Sequence, residues 1–481
     1  MNILIDKYKR FPIQIKASIW FLICSFFQKG IQVITTPIFT RLLSTSEFGQ
    51  YNVFNSWLGV ITVFVSMRIY FGVYSQGLVK FDSEKKIYSS SLQGLTLTLE
   101  LIWIVIYFLF RDFWNKIFGL TNTQMLILLL MVWTTSIFDF WAAEQRIEYN
   151  YKQLVIVTCL ASLLKPIFAI VLVINSIDKV TALVFGFLFA EFICYICLFF
   201  KQMLAGKMFY SKKFWKYALS LSVPLIPHYL SQTVLTSFDR IMIQRMIGSS
   251  EAGIYGLAYA ISQVMSLFNT ALTQTIEPWI FQKIKSNKID ELGKVVYPSM
   301  IVIGTVNVLL IAIAPEIVRI FAPAPYYDAI WVIPPVAMSV YFGFMYCFFA
   351  DFEFYYEKTK CITVATMAVA VLNIILNYVF IKIFGYYAAG YTTLACYILY
   401  ALFHFLSMEI IRKKEIKCRT IYNNKLIVGI SLIFVILGFL FMLTYNFLII
   451  RYAGIGLFVL IVILKRKYIM GMIFDFIQLR K

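Results

Sequence analysis

Charge is what this sequence has least of. Only 14% of its 481 residues are Asp, Glu, Lys or Arg, whereas a soluble domain carries about 25%. A water-facing surface cannot be assembled from that inventory, and with 61% hydrophobic residues and a mean hydropathy of +0.80 the chain belongs in a bilayer. Acidic residues are the scarcer sign, 24 against 43 basic, leaving a net charge of +19. In a membrane chain this excess marks cytoplasmic loops and anionic lipid partners rather than nucleic acid. The eight cysteines (24, 159, 194, 197, 347, 361, 396 and 418) lie mostly in apolar runs and form no disulfide framework. Cys194 and Cys197 share a helix face, but no other Cys or His stands nearby in sequence to complete a metal set. No GxxxxGK[ST] motif is present, which excludes ATP as direct driver. No cofactor is expected, and loops no longer than about twenty residues leave no room for a catalytic domain acting on a lipid-linked sugar.

Fourteen apolar runs, from 17–37 to 426–446 and 447–464, have lengths suited to membrane-spanning helices. They lack the ten-residue alternation of a barrel strand. The first run follows Lys7, Lys9, Arg10 and Lys16 but is too long for a signal-peptide core, so it should be retained as a helix. With the amino terminus inside, the loops of one side collect thirty Lys and Arg and those of the other nine. Both termini are therefore expected in the cytoplasm. The reading divides the chain into a first lobe (1–200), a basic linker (201–216), a second lobe (217–410), a basic loop (411–425) and a terminal helix pair with a basic tail (426–481).

The chain is duplicated. Arg41, Ser46, Glu47, Gly49 and Tyr51 recur as Arg245, Ser250, Glu251, Gly253 and Tyr255, at a constant offset of 204. Six runs separate the copies, so both halves should point the same way across the membrane. Ser44 and Gly248 stand three residues before Glu47 and Glu251, a pattern that opens a helix. Farther on, an offset of 208 sets Leu164-Lys165-Pro166-Ile167 against Leu372-Asn373-Ile374-Ile375, a cation in one copy against a neutral amide in the other.

Pro37–Tyr51, Asp239–Tyr259 and Asn373–Tyr397 resemble three motifs of the bacterial polysaccharide and O-antigen repeat-unit flippases, within the multidrug/oligosaccharidyl-lipid/polysaccharide exporter superfamily. The resemblance covers essentially the whole chain in order. It departs at Ala388-Ala389-Gly390, where the family usually reads Gly-Ala-Ala, and around Arg68–Tyr70, where an acidic residue is often found. What it implies is an all-α integral membrane protein of about 14 transmembrane helices, two parallel six-helix lobes around a V-shaped central cavity plus two C-terminal helices. The implied activity is movement of an undecaprenyl-diphosphate-linked oligosaccharide from the inner to the outer leaflet of the bacterial cytoplasmic membrane by alternating access. A glycan polymerase and a chain-length regulator are the implied protein partners.

Ionisable groups inside a spanning helix cost about 2.5–3.5 kcal/mol or more, so each needs a partner, water or a function. The first half has Lys29, Arg68, Glu100, Asp139, Lys165 and Glu191; the second has His228, Glu277, Lys294, His404 and Glu409, mostly near helix ends. A glycan diphosphate crossing the bilayer must exchange water for fixed donors. Lys29, Arg68, Lys165, Arg240 and Arg245 are the candidate cations, Arg by its bidentate fork and Lys as a point charge. Glu100, Asp139 and Glu191 are candidates for ion coupling or for neutralising those cations, and His228 for a proton-linked switch or sugar donor. Asn373 and Asn377, one turn apart, suit sugar hydroxyls or a neighbouring helix. The alternatives are a cation-drug antiporter of the same architecture and, behind it, a glycan polymerase or ligase. The first should have an acidic cavity, where this lobe is at best balanced and has mid-depth lysines; for the second, the outer loops are short and carry little that could act as acid or base.

Overall fold

The computed structural model describes residues 12–416 and 420–464. The cations at 7, 9 and 10, Cys418 and the basic tail at 465–481 lie outside them. Among the described residues the chain is helical throughout. Two compact units divide it, Met1–Ile241 and Met242–Lys481.

The first unit comprises α1 (Ile13–Leu42), α2 (Thr45–Val65), α3 (Val73–Lys80), α4 (Lys85–Leu109), α5 (Arg111–Phe118), α6 (Asn122–Ile147), α7 (Tyr151–Ile174), α8 (Lys179–Gly206) and α9 (Lys212–Ser222). Its last helix, α10 (Ile226–Met246), runs across the division. The second unit continues with α11 (Ser249–Ser262), α12 (Met265–Lys285), α13 (Gly293–Ala312), α14 (Ala314–Phe321), α15 (Ile333–Met345), α16 (Cys347–Tyr355), α17 (Thr359–Phe384), α18 (Ala388–Ile411), α19 (Asn424–Leu443) and α20 (Leu448–Leu464).

Among the described residues ten helical segments are long and apolar enough to cross a membrane, against the fourteen runs expected from sequence. The other four runs are interrupted, too polar or too short. The run at 51–73 breaks after Val65 at a turn in which Met67 and Arg68 both take positive φ. That at 217–238 breaks at Pro224, where Val223–Leu225 is a 3-10 turn, because proline removes a donor and crowds the preceding turn. That at 252–275 divides between α11 and α12, and α20 has only 17 residues.

Each unit is organised about its own central helix. In the first, α8 packs on α4, α6 and α7; in the second, α18 packs on α15, α16 and α17. The duplicated motif opens α2 and α11. At α2 it forms a reciprocal cap: the Ser44 amide donates to Glu47 Oε2 (2.7 Å) and the Glu47 amide donates to Ser44 Oγ (3.2 Å). Gly248 at the second copy has no side chain with which to close the same box. The short helices α5 and α14 repeat the duplication, each following a long helix, α4 or α13, after a one-residue break. Outward-facing residues such as Ile156, Val171 and Ile433 are apolar and exposed, as a lipid-facing surface requires.

The expected linker at 201–216 is ordered rather than extended. Its first part completes α8, and the rest folds back on α4 before entering α9.

Candidate functional site

The candidate charges of the first unit meet where α6, α7 and α8 pack together. Gly186 on α8 has no Cβ, and one placed there would stand 2.5 Å from Ala169 Cα on α7. The two backbones therefore approach closely, and in that antiparallel register Lys165 falls opposite Glu191. Lys165 Nζ lies 2.7 Å from Glu191 Oε1. The other carboxylate oxygen accepts from Thr134 Oγ1 (2.5 Å) and Thr135 Oγ1 (3.5 Å) on α6. The two partners differ in environment: the Glu191 side chain is 3% exposed, that of Lys165 32%. The ammonium group also sits 5.8 Å from the centre of the Tyr195 ring. Asp139 is half-buried on α6, one turn beyond Thr135.

Arg68 is presented differently. It lies in the turn between α2 and α3, where Met67 and Arg68 have φ of 49° and 44°. Left-handed backbone at two successive non-glycine residues costs about 1–3 kcal/mol each. The turn is held by Ser66 Oγ, which accepts from the Arg68 amide at 3.2 Å, and by the Arg68 carbonyl, which accepts from the Phe71 amide at 2.8 Å. The guanidinium reaches α10, with Nη2 3.5 Å from Thr233 Oγ1 and the Tyr229 ring centre 5.7 Å away. No carboxylate pairs with it among the described residues, and its Nε is buried without a partner. Lys29, in the middle of α1, is exposed and makes no hydrogen bond or ion pair to a described residue.

Glu100 presents the opposite case. It is 1% exposed inside α4, and neither carboxyl oxygen has a hydrogen-bond partner. Of the remaining candidates, Arg240 is buried on α10 and donates from Nη2 to the Thr236 carbonyl at 3.0 Å, while Arg245 is exposed near the end of that helix. His228 is half-buried, with Nδ1 unsatisfied and its ring 5.8 Å from that of Tyr229.

In the second unit Asn373 and Asn377 are both fully buried. Asn377 Nδ2 donates to Asn373 Oδ1 (3.1 Å), and Thr392 of α18 donates to Asn377 Oδ1. These amides thus join α17 to its neighbour, the second of the two uses their spacing allowed. Sequence reasoning missed Glu353, which it assigned to the loop at 351–360. Helix α16 runs to Tyr355, and Glu353, 1% exposed, hydrogen-bonds through Oε2 to Nδ1 of fully buried His404 on α18 (2.8 Å). The signal available was His404 itself, an ionisable group in an apolar run that needed a partner.

Comparison with known proteins places this arrangement. A family described as "Polysaccharide biosynthesis protein" matches residues 15–284, more than half the chain. The chain belongs to that family. Its members are membrane transporters rather than enzymes, and a second family, MatE, matches residues 224–379. An uncharacterised membrane protein of Haemophilus influenzae is 21% identical over 379 residues, 73% of this chain and 88% of that protein. Among solved structures, the lipid II flippase MurJ in an inward closed conformation has a TM-score of 0.65 at 17% identity, covering 94% of this chain and 100% of that one. An inward-facing multidrug resistance MATE transporter of the MOP superfamily also has a TM-score of 0.65, at 12% identity, covering 82% and 96%. At these identities the likeness establishes the fold. The chain is a multi-pass membrane transporter of polysaccharide biosynthesis with the MurJ/MATE fold.

Proposed function

We propose that this family member flips an undecaprenyl-diphosphate-linked oligosaccharide repeat unit from the inner to the outer leaflet of the bacterial cytoplasmic membrane by alternating access, with both termini in the cytoplasm and an ion gradient as driver. The observation that carries the reading is that the intramembrane cations of the first unit, which carboxylates match in number, are not all matched by them in space. Among the described residues Lys29 has no hydrogen-bond or ion-pair partner and Arg68 no carboxylate, and the Lys165 side chain stays partly exposed although it is paired with Glu191. Positive groups so placed are expensive in hydrocarbon unless water or an anion meets them. A pyrophosphate supplies that anion, with the guanidinium offering paired donors and the two lysines point charges. Lipid II, named for the MurJ structure, is itself a lipid-linked substrate, which agrees with this class of cargo.

The deciding experiment replaces Lys29 and Arg68 together by Ala, with insertion and folding verified. Surface glycan should fall sharply while lipid-linked repeat units accumulate on the inner leaflet. Normal export in that variant would remove the proposed site.

A cation antiporter is the second reading, favoured by the MatE match and by Glu100, whose carboxyl has no partner. It requires Glu100→Gln to abolish transport of an organic cation in proteoliposomes that carry no lipid-linked glycan.

A further inference from the structure

The segment joining α8 to α9 was expected to be a plain basic linker, yet it is built like a lipid-headgroup seat. Gly94 on α4 is what lets it dock: a Cβ there would stand 2.2 Å from the Phe209 carbonyl oxygen. Two hydrogen bonds fix the docked chain, from the Met208 amide to Ser90 Oγ (3.3 Å) and from Trp215 Nε1 to the Ser91 carbonyl (2.8 Å). Tyr210 meets Trp215 edge to face at 4.8 Å. Helix α9 then buries Phe214, Ala218 and Ser222, one face at four-residue spacing, against the unit.

What remains outside is of two kinds. Met208, Phe209 and Tyr210 are held out at 40%, 45% and 56% exposure. Beside them Lys207, Lys212 and Lys216 are exposed and their ammonium groups make no ion pair or hydrogen bond with a described residue, whereas Lys213 is engaged by Glu84. Three ordered large side chains exposed among unpaired cations suit neither water nor hydrocarbon. They suit the boundary between them, where lysine stems lie along apolar surface and ammonium groups reach headgroups.

We propose that residues 207–216 bind an anionic phospholipid, its phosphate among Lys207, Lys212 and Lys216 and its acyl chain along Met208, Phe209 and Tyr210. This site lies wholly within the first unit and uses none of the residues proposed to meet the glycan lipid. Each lysine near an anionic headgroup contributes about fivefold in affinity, from ~1 kcal/mol per charge.

The test uses the full-length protein in detergent, supplied with phosphatidylglycerol or phosphatidylcholine, with retained lipid counted by native mass spectrometry. Wild-type protein should retain the anionic lipid about tenfold more strongly or better. Lys207→Gln/Lys212→Gln/Lys216→Gln should lose that preference, the corresponding triple Arg variant should keep it, and Phe209→Ser should weaken retention without abolishing the preference. Excess inorganic phosphate should not displace the lipid. The proposal is overturned by equal retention of the two lipids in wild type, by unchanged retention in the Gln variant, or by displacement with phosphate, which would mark a free-anion site. No glycan lipid is present in the assay, so its outcome is independent of the flippase reading.

Discussion

The α7–α8 pair of the first unit and the α17–α18 pair of the second descend from one duplicated hairpin, yet they solve the same packing problem with opposite chemistry. An offset of 208 carries Lys165 to Asn373 and Glu191 to Leu399. The first hairpin is held by an ion pair with one open partner, the second by neutral amides and a hydroxyl, all buried. If ion pairing served only to join helices, amides would do it without the cost of desolvating two charges. Charge in one copy fits the use proposed above for the first unit, whereas neutral amides in the other suffice for helix association.

That contrast can be broken directly. Giving the first hairpin the residues of the second, Lys165→Asn with Glu191→Leu, should leave a folded protein that transports at about a tenth of the normal rate or less, the loss of one charge-assisted contact worth ~1.5–3 kcal/mol. Proteoliposome flipping assays measure it, and full activity would reduce the ion pair to packing. Next in size is an asymmetry between the single changes. Lys165→Ala strands a sealed carboxylate and should cost about 3–5 kcal/mol in detergent unfolding. Glu191→Ala leaves a lysine whose side chain is already partly exposed and should cost less, about 1–2 kcal/mol after screening by solvent is allowed for. The reverse order would mean that the exposure of Lys165 has no energetic meaning. In the second hairpin, Asn377→Ala removes the bonds to Asn373 and Thr392 and should lower stability by about 1–3 kcal/mol. The smallest effect belongs to the caps. Ser44→Ala should cost about 1 kcal/mol and Gly248→Ser should gain a few tenths, since the new hydroxyl can close the box with Glu251 after a small shift of that side chain; thermal unfolding of both checks it.

Much of the scaffold could be read from the sequence because bilayer helices declare themselves through length and hydropathy, and a reciprocal cap is local enough to be visible in four residues. Interruptions were harder. The break after Val65 depends on Ser66 folding its hydroxyl over the turn, and Arg68 is placed by contacts to Tyr229 and Thr233 on a helix far along the chain. The cations themselves were legible, since each stood alone in an apolar run. Their pairing was not, because the partnership of Lys165 with Glu191 is set by the glycine register between two helices. Glu353 was assigned to a loop for the same reason: the residue that makes its burial tolerable, His404, is 51 positions away.

One tie in the second unit bears on how the chain can be handled. Arg451 of α20, 3% exposed, pairs with Glu316 of α14, and the Tyr452 hydroxyl donates to the same carboxylate oxygen at 2.9 Å. An expression version stopped after α19 would leave Glu316 without this counter-ion and without this donor. The closing helix is thus a fastener rather than a detachable ornament, and reporter fusions belong beyond residue 464, where they leave that clasp intact.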